Sequence, residues 1–145
     1  MISANKGEEP RPISKIASGG ELSRIMLALK SVIADKDSIP TMIFDEIDSG
    51  ISGRTAQMVS EKLHKLSRGH QVICITHLAQ IAAMADTHFV IEKEVGSDRS
   101  LTHIRRLSET EITEELARIL GGVEITDAVR ENASEMKRLA DEMKN

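Results

Sequence analysis

The sequence contains no tryptophan or tyrosine, and aromatic residues make up only 1% of the chain. A core must therefore be built from Ile, Leu, Val, Ala and Met, and the aromatic platforms on which single-stranded nucleic acids stack are nearly absent. A single cysteine excludes an internal disulfide and is typical of a protein in a reducing compartment.

Long apolar runs, a signal peptide and a strong excess of positive charge are also missing. No run reaches the length that spans a membrane, so the sequence predicts a cytoplasmic protein with no membrane partner. The formal net charge of −4 argues against a strongly basic nucleic-acid surface, although it leaves room for a local basic patch. No G-x-x-x-x-G-K-S/T phosphate-binding motif occurs anywhere in the chain.

The length and composition of the chain are sufficient for one domain with one hydrophobic core. The chain has 145 residues, of which 40% are hydrophobic and 29% charged, a balance typical of globular proteins. Residues 1–17 are polar, contain Pro10 and Pro12, and are predicted to form an extended lead-in. Because structure is predicted to begin with little preamble, we expect the chain to be a later part of a longer protein.

The centre of the chain carries a short apolar strand that ends in two adjacent carboxylates. Thr41–Phe44 is predicted to be a buried strand, and Asp45 and Glu46 follow it directly. On an extended backbone the two side chains point to opposite sides, so one can bind a metal ion while the other handles a water molecule. This arrangement suits a nucleotide hydrolase. The alternative is a strand that simply ends in a polar loop.

A second stretch combines a helix start with two glycines. Apolar residues at helical spacing predict a helix over residues 19–34, and Ser18 with Glu21 has the Ser-x-x-Glu form of a capping box. In one interpretation Ser18 merely caps the helix. In the other, Gly19 and Gly20 leave backbone N–H groups uncovered at the positive end of the helix, which favours a bound phosphate. A cap alone does not need two glycines, but both interpretations stand.

A helix and a second strand follow the first strand. Ser52 is predicted to cap a helix that ends near Gly69, and residues 72–75 form another apolar strand, which leads into His77. Two such strands joined by a helix predict a parallel sheet covered on both faces. The carboxylates and His77 then share one rim, where such sheets bind ligands. A structural, hydrogen-bonded role is the alternative for His77, and Cys74 with His77 lacks the further ligands of a zinc site.

The remaining half of the chain is predicted to contain a short helix, an antiparallel hairpin and two amphipathic helices. In chain order they are a helix over residues 78–85, strands over 88–93 and 101–106, a helix from Ser108 to Gly121, and a helix over 126–144. Ser108 and Glu111 form another capping box. The hairpin, predicted to turn at residues 96–98, is locally basic, and an exposed hairpin is the plainest interpretation.

Together these motifs resemble the second half of an ABC-type ATPase head. The similar segments are residues 18–21 (signature motif), 41–46 (Walker B strand), 48–52 (D-loop) and His77 (switch histidine). Three longer runs resemble the RecN family of DNA repair proteins, which is related to the SMC and Rad50 group; they are residues 16–24, 44–53 and 75–82. The resemblance implies an α/β fold of the P-loop NTPase type: the C-terminal lobe of an ABC ATPase head, with a mostly parallel sheet flanked by helices and an antiparallel hairpin.

The resemblance also implies a mechanism. In the family, two heads dimerise head to tail and sandwich two ATP molecules. Asp45 then holds Mg²⁺ through water, Glu46 orients or deprotonates the attacking water, and His77 senses the γ-phosphate. The residues implied to bind ATP are Ser18, Gly19, Gly20, Glu21, Asp45 and Asp48. The signature residues close over the γ-phosphate bound to the partner head. The implied output is reversible engagement of DNA ends in double-strand break repair.

The chain departs from the family pattern in two respects. The Walker A half and the coiled coil are missing, which implies that they lie upstream in the longer protein. Ser52 stands where many ABC proteins have Asp at the end of the D-loop. The implied partners are a second head, the missing N-terminal half, and DNA through the full-length protein, near the nucleoid. The alternatives are a non-catalytic interaction module and, less well matched at Glu21 and Asp48, a transporter subunit. We expect the fragment alone to bind ATP very weakly and to self-associate.

Overall fold

A computed structural model describes residues 18–33, 38–95 and 100–144, together with Gly7, Glu9 and Pro12. The chain divides into two compact units, Met1–His77 and Leu78–Asn145, and each is described by itself. Most of the predicted lead-in and the predicted hairpin turn at residues 96–98 lie outside the described residues.

The first unit contains two helices and a two-stranded parallel sheet. Its elements are α1 (Gly19–Ile33), β1 (Thr41–Phe44), α2 (Gly53–Ser67) and β2 (Gln71–Cys74). The strands pair from Thr41 with Gln71 to Phe44 with Cys74, which confirms the predicted parallel strand-helix-strand unit. The second strand begins and ends one residue earlier than predicted, although the Ile75 backbone N–H still donates to the Phe44 carbonyl at 3.0 Å.

One face of this sheet is packed and the other is open. Met42 and Phe44 are buried, and so is the apolar stripe of α2, which consists of Ala56, Val59, Leu63 and Leu66. On the opposite face, the exposed fraction is 67% at Ile43 and 44% at Ile73. The prediction of a sheet covered on both faces is therefore wrong for the part of the chain that the structure describes, because no described element covers these isoleucines.

Helix α1 exposes most of the apolar stripe from which it was predicted. Its buried residues are Gly20 and Leu27. The exposed members of the stripe are Leu22, Met26, Leu29, Val32 and Ile33. Helical spacing identified the helix correctly, but it did not indicate which of its apolar side chains the chain itself would cover.

The second unit packs two helices and a short helix beside an antiparallel hairpin. Its elements are α3 (Ala79–Ala83), β3 (Phe89–Val95), β4 (Ser100–Arg106), α4 (Glu109–Gly121) and α5 (Asp127–Lys144). Its core includes Leu116, Ala117 and Ala133, all almost completely buried. The described sheets are thus one parallel pair and one antiparallel pair, so the predicted parallel sheet and the predicted hairpin are both present, each with two strands. No helix among these residues is both long and apolar enough to cross a membrane.

The predicted capping box at the start of α4 is confirmed. The Oε2 atom of Glu111 accepts hydrogen bonds from the Ser108 backbone N–H at 2.8 Å and from its hydroxyl at 2.7 Å. These bonds, followed by the contact with Arg105, lower the pKa of Glu111 to about 2. One arginine of the locally basic hairpin is therefore paired with a carboxylate, because Arg105 Nη1 lies 2.5 Å from Glu111 Oε1. In contrast, Ser52 occupies the N-cap of α2 without a side-chain capping bond.

His88 is a partly buried histidine of the second unit. Its Nε2 atom lies 2.7 Å from the Ala82 carbonyl, so Nε2 carries the hydrogen, while the buried Nδ1 has no partner among the described residues. Burial lowers the pKa of His88 below its ordinary value of 6.5, Lys137 and Lys144 lower it further, and the Ala82 bond and Asp141 oppose the shift.

We expect the second unit to lose stability as the pH falls below about 6.5, because the unfolded chain then binds the His88 proton more tightly than the folded chain does. Above that pH both states are neutral at His88 and its contribution vanishes. Urea unfolding of the wild type and of His88→Gln, at pH 7.5 and at lower pH, measures the effect. The loss should shrink in His88→Gln, whose amide can still donate to Ala82, and an undiminished loss in that variant would contradict the assignment.

Candidate nucleotide site

The carboxyl ends of β1 and β2 lie at one edge of the parallel sheet. Asp45 and Glu46 follow β1 with exposed side chains, and His77 follows β2 with a side chain that is 72% exposed. Because the strands are direct neighbours, the predicted common rim is confirmed. Such rims collect polar groups from successive loops, which is where an open α/β sheet binds its ligand.

The backbone leaves the strand direction at Glu46. Its φ of 55° places a non-glycine residue in the left-handed region, at a cost of about 1–2 kcal/mol. The expectation of an extended Asp45-Glu46 pair is therefore wrong, because the chain already turns at the second carboxylate. The Ser49 backbone N–H closes this turn by donating to the Glu46 carbonyl at 3.0 Å. Strain of this kind persists only where the surrounding structure holds it in place.

The beginning of α1 provides that support. Arg24 Nη1 donates to the carbonyl oxygens of Ile47 at 3.0 Å and of Ser49 at 2.8 Å. One residue earlier, the Ser23 hydroxyl donates to the Asp45 carbonyl at 2.8 Å. Three successive bonds thus fasten the loop after β1 to the first turns of α1.

Gly19 and Gly20 allow this close approach. A Cβ atom on Gly20 would lie 2.6 Å from the Glu46 carbonyl oxygen and 2.7 Å from Ser49 Cβ. On Gly19 it would lie 2.5 Å from Glu46 Oε2. Sequence reasoning considered these glycines only as a phosphate cradle and missed the packing role. The signal was the glycine pair itself, since close backbone approach is a common reason for glycine.

The capping interpretation of the helix start is confirmed. Glu21 Oε2 accepts from the Ser18 backbone N–H at 3.0 Å and from its hydroxyl at 3.3 Å, while the Glu21 N–H donates to Ser18 Oγ at 3.4 Å. Ser18 and Gly19 nevertheless remain exposed. Contact of these residues with a phosphate stays a prediction.

Asp48 is turned inward. Its side chain is 2% exposed, and its Oδ2 accepts from the Thr76 hydroxyl at 2.6 Å and from the His77 backbone N–H at 2.8 Å. His77 Nδ1 lies 3.0 Å from the same oxygen. Asp48 was predicted to contact the nucleotide, but a carboxylate this buried joins the two loops of the rim and has little surface left for a ligand.

The rim fits Mg²⁺ better than zinc. In the part of the chain that the structure describes, no three His, Cys, Asp or Glu side chains come together as a metal cluster. Mg²⁺ does not need one, since it is usually held by one or two carboxylates with phosphates and waters, and the exposed Asp45 suits that role. Burial, with smaller effects from Asp48 and Asp45, raises the pKa of Cys74 to about 12, so its thiol is a poor metal ligand.

Removing the guanidinium of Arg24 should loosen the carboxylate loop. We expect Arg24→Met to lower the free energy of unfolding by about 1–3 kcal/mol, because two carbonyls lose a charged donor. It should also speed hydrogen exchange at the Ser49 amide. Arg54→Met on the exposed face of α2 is the matched control and should stay within about 0.5 kcal/mol of the wild type. Equal effects of the two substitutions would refute the anchoring role of Arg24.

The chain is similar in sequence to known proteins over nearly its whole length. No protein-family profile matches it. The chain is 50% identical to the DNA repair protein RecN of Bacillus subtilis (strain 168) over 144 residues, which are 99% of this chain and 25% of that protein. It is 52% identical to RecN of Treponema pallidum over 84% of this chain and 21% of that protein. For RecN of Deinococcus radiodurans the identity is 47%, over 93% of this chain and 23% of that protein.

A solved structure from work on the ATP-driven dimerization and DNA-stimulated activation of SMC ATPases also resembles the chain. The TM-score is 0.52 at 22% sequence identity, and the match covers 79% of this chain and 68% of that chain. At 22% sequence identity, this structural similarity indicates a shared fold and not a shared function. The chain spans about a quarter of the length of the curated relatives that it matches. It is therefore a RecN-like segment with an SMC ATPase-like fold, similar over most of its length to DNA repair proteins of the RecN type.

Proposed function

We propose that the chain is the signature-to-switch half of an ATP-hydrolysing head in a RecN-like protein that repairs DNA double-strand breaks. The observation that carries the proposal is the fastening of the loop with Asp45 and Glu46 to the Ser-Gly-Gly start of α1. This contact joins two motifs of an ABC-type head, one that would act on the head's own nucleotide and one that would act on the nucleotide of the partner head. The identity of 50% to a RecN protein supports the same assignment.

The other half of the head is proposed to lie upstream in the longer protein and to contain Walker A and the coiled coil. The open sheet face at Ile43 and Ile73 and the exposed stripe of α1 support this arrangement. These apolar side chains belong to elements that are otherwise ordered, and apolar faces of ordered elements are normally covered. The same surfaces support the expectation that the chain by itself associates with other copies.

Each residue of the rim would have a separate role in ATP hydrolysis. Bound Mg²⁺–ATP supplies the phosphate that water attacks. Asp45, exposed at the end of β1, would hold the metal ion through water. Glu46 orients the attacking water or takes its proton, which is worth roughly 10²–10⁴ in rate for a positioned general base. His77, whose exposed ring lies at the same rim, would sense the γ-phosphate.

The start of α1 is proposed to act on a second copy of the head. Ser18, Gly19 and Gly20, with Glu21 as their cap, would close over the nucleotide held by the partner. ATP then joins two heads, and hydrolysis separates them. The protein would work in the cytoplasm beside the nucleoid, with DNA bound through the full-length chain.

Turnover and assembly of the full-length protein test the proposal. Phosphate release is measured with and without Mg²⁺, and mass is measured by analytical ultracentrifugation with and without ATP. We expect Mg²⁺-dependent turnover and an ATP-dependent dimer. If the folded full-length protein shows neither, the head is not a working ATPase, and the alternative of a non-catalytic interaction module takes its place.

A further inference from the structure

We propose that Asp48 is the positioning residue of His77: its buried carboxylate fixes the ring in the Nδ1–H form and directs Nε2 toward the rim. The proposal rests on the proposed function only where it concerns turnover. The arrangement of the two side chains is a property of the chain itself.

The geometry restrains His77 at two points. Asp48 Oδ2 accepts from the backbone N–H of His77 at 2.8 Å and lies 3.0 Å from its ring Nδ1. The first contact holds the main chain at the end of β2, and the second holds the ring. The Thr76 hydroxyl, at 2.6 Å, fixes the carboxylate in turn. A side chain held at both its backbone and its ring keeps one orientation although it is 72% exposed.

The contact also decides which ring nitrogen carries the hydrogen. A carboxylate oxygen only accepts, so Nδ1 must be the donor. In the neutral ring Nε2 is then an acceptor, and it donates to a phosphate oxygen only in the imidazolium form. Asp48 would supply the opposite charge for that form, and its burial at 2% exposure keeps water from screening the contact.

The three donors explain how a carboxylate is tolerated in this position. A buried charge is costly unless it is paired and hydrogen-bonded, and Asp48 meets this condition through Thr76 and His77. A carboxylate required only for packing would not need to lie against the one histidine of the rim.

Nitrogen-15 NMR of His77 in the chain tests the tautomer directly. We expect the Nδ1–H form to predominate in the wild type and the Nε2–H form, which an unrestrained neutral histidine side chain prefers, to predominate in Asp48→Ala. Thr76→Val removes one donor but leaves the ring contact, so its tautomer should match the wild type. A wild-type ring that is mainly Nε2–H overturns the proposal whether or not Asp48→Ala folds.

ATP turnover of the full-length protein tests whether Asp48 acts through His77. Asp48→Asn should lower turnover by about 10–100-fold, by analogy with the range for hydrogen-bond partners that orient a metal-ligating histidine. In a His77→Ala background the same substitution should add no further loss. An equal loss in both backgrounds would show that Asp48 does not act through His77. Absence of turnover in the wild type would reject the proposed function, while the NMR result would still decide the tautomer.

Discussion

In the full-length protein, Glu46→Gln is expected to reduce ATP turnover by roughly 10²–10⁴-fold, because the amide cannot take a proton from water. The substitution keeps the length of the side chain, so the close approach to Gly19 is unchanged. ATP binding should survive, and the ATP-bound dimer should therefore accumulate. Steady-state phosphate release and sedimentation in ATP measure the two effects.

Glu61→Gln is the matched control for this experiment. Glu61 lies on the exposed face of α2, where its Oε1 atom accepts a hydrogen bond from Gln57 Nε2 at 3.3 Å. The same chemical change there should leave turnover unaltered. If the two variants hydrolyse ATP equally fast, Glu46 is not the general base and the assignment of the rim fails.

The second large effect concerns the glycine pair. Gly20→Ala is expected to destabilise the first unit by about 1–3 kcal/mol, the usual cost of overpacking. The new methyl group would meet the Glu46 carbonyl and Ser49, and backbone atoms held by Arg24 cannot withdraw easily. Urea unfolding followed by circular dichroism gives the free energy difference.

Gly19→Ala is the variant to compare with Gly20→Ala, because the same methyl group is added one residue earlier. Among the described residues, its methyl group would meet only the carboxylate end of the Glu46 side chain, which can rotate away. Alanine also favours the helix by up to about 1 kcal/mol, so the folded state should be nearly unaffected. In the full-length protein, however, turnover should fall because Glu46 is displaced. Equal destabilisation by the two alanines would contradict the packing account.

Sequence reasoning found the elements of this fold because their patterns are local. Two short apolar runs predicted β1 and β2, and apolar side chains spaced three and four residues apart predicted α2. The Ser-x-x-Glu patterns at Ser18 and Ser108 predicted both capping boxes correctly. In each case the interaction involves residues close together in the chain, so spacing alone is sufficient.

The errors concern contacts between distant residues. Nothing in the order Asp45-Glu46 indicates a positive φ, because the turn at Glu46 is held by Arg24 more than twenty positions earlier. Likewise, the inward direction of Asp48 depends on donors that follow β2. A continuous apolar run also does not indicate whether the chain covers both faces of its own sheet, as the exposed Ile43 shows. The roles of the rim residues toward a nucleotide stay predictions.

The fastening of the loop after β1 to α1 limits how this protein could be recombined with a relative. The glycines at positions 19 and 20 fit that particular loop, and Arg24 reaches two of its carbonyls. A chimera that exchanged β1 with its loop but kept a foreign helix would lose both the space and the donors. The start of α1 and the loop after β1 should therefore be exchanged together in a chimera. A crossover between residues 24 and 41 would take these two segments from different parents and remove the contacts between them.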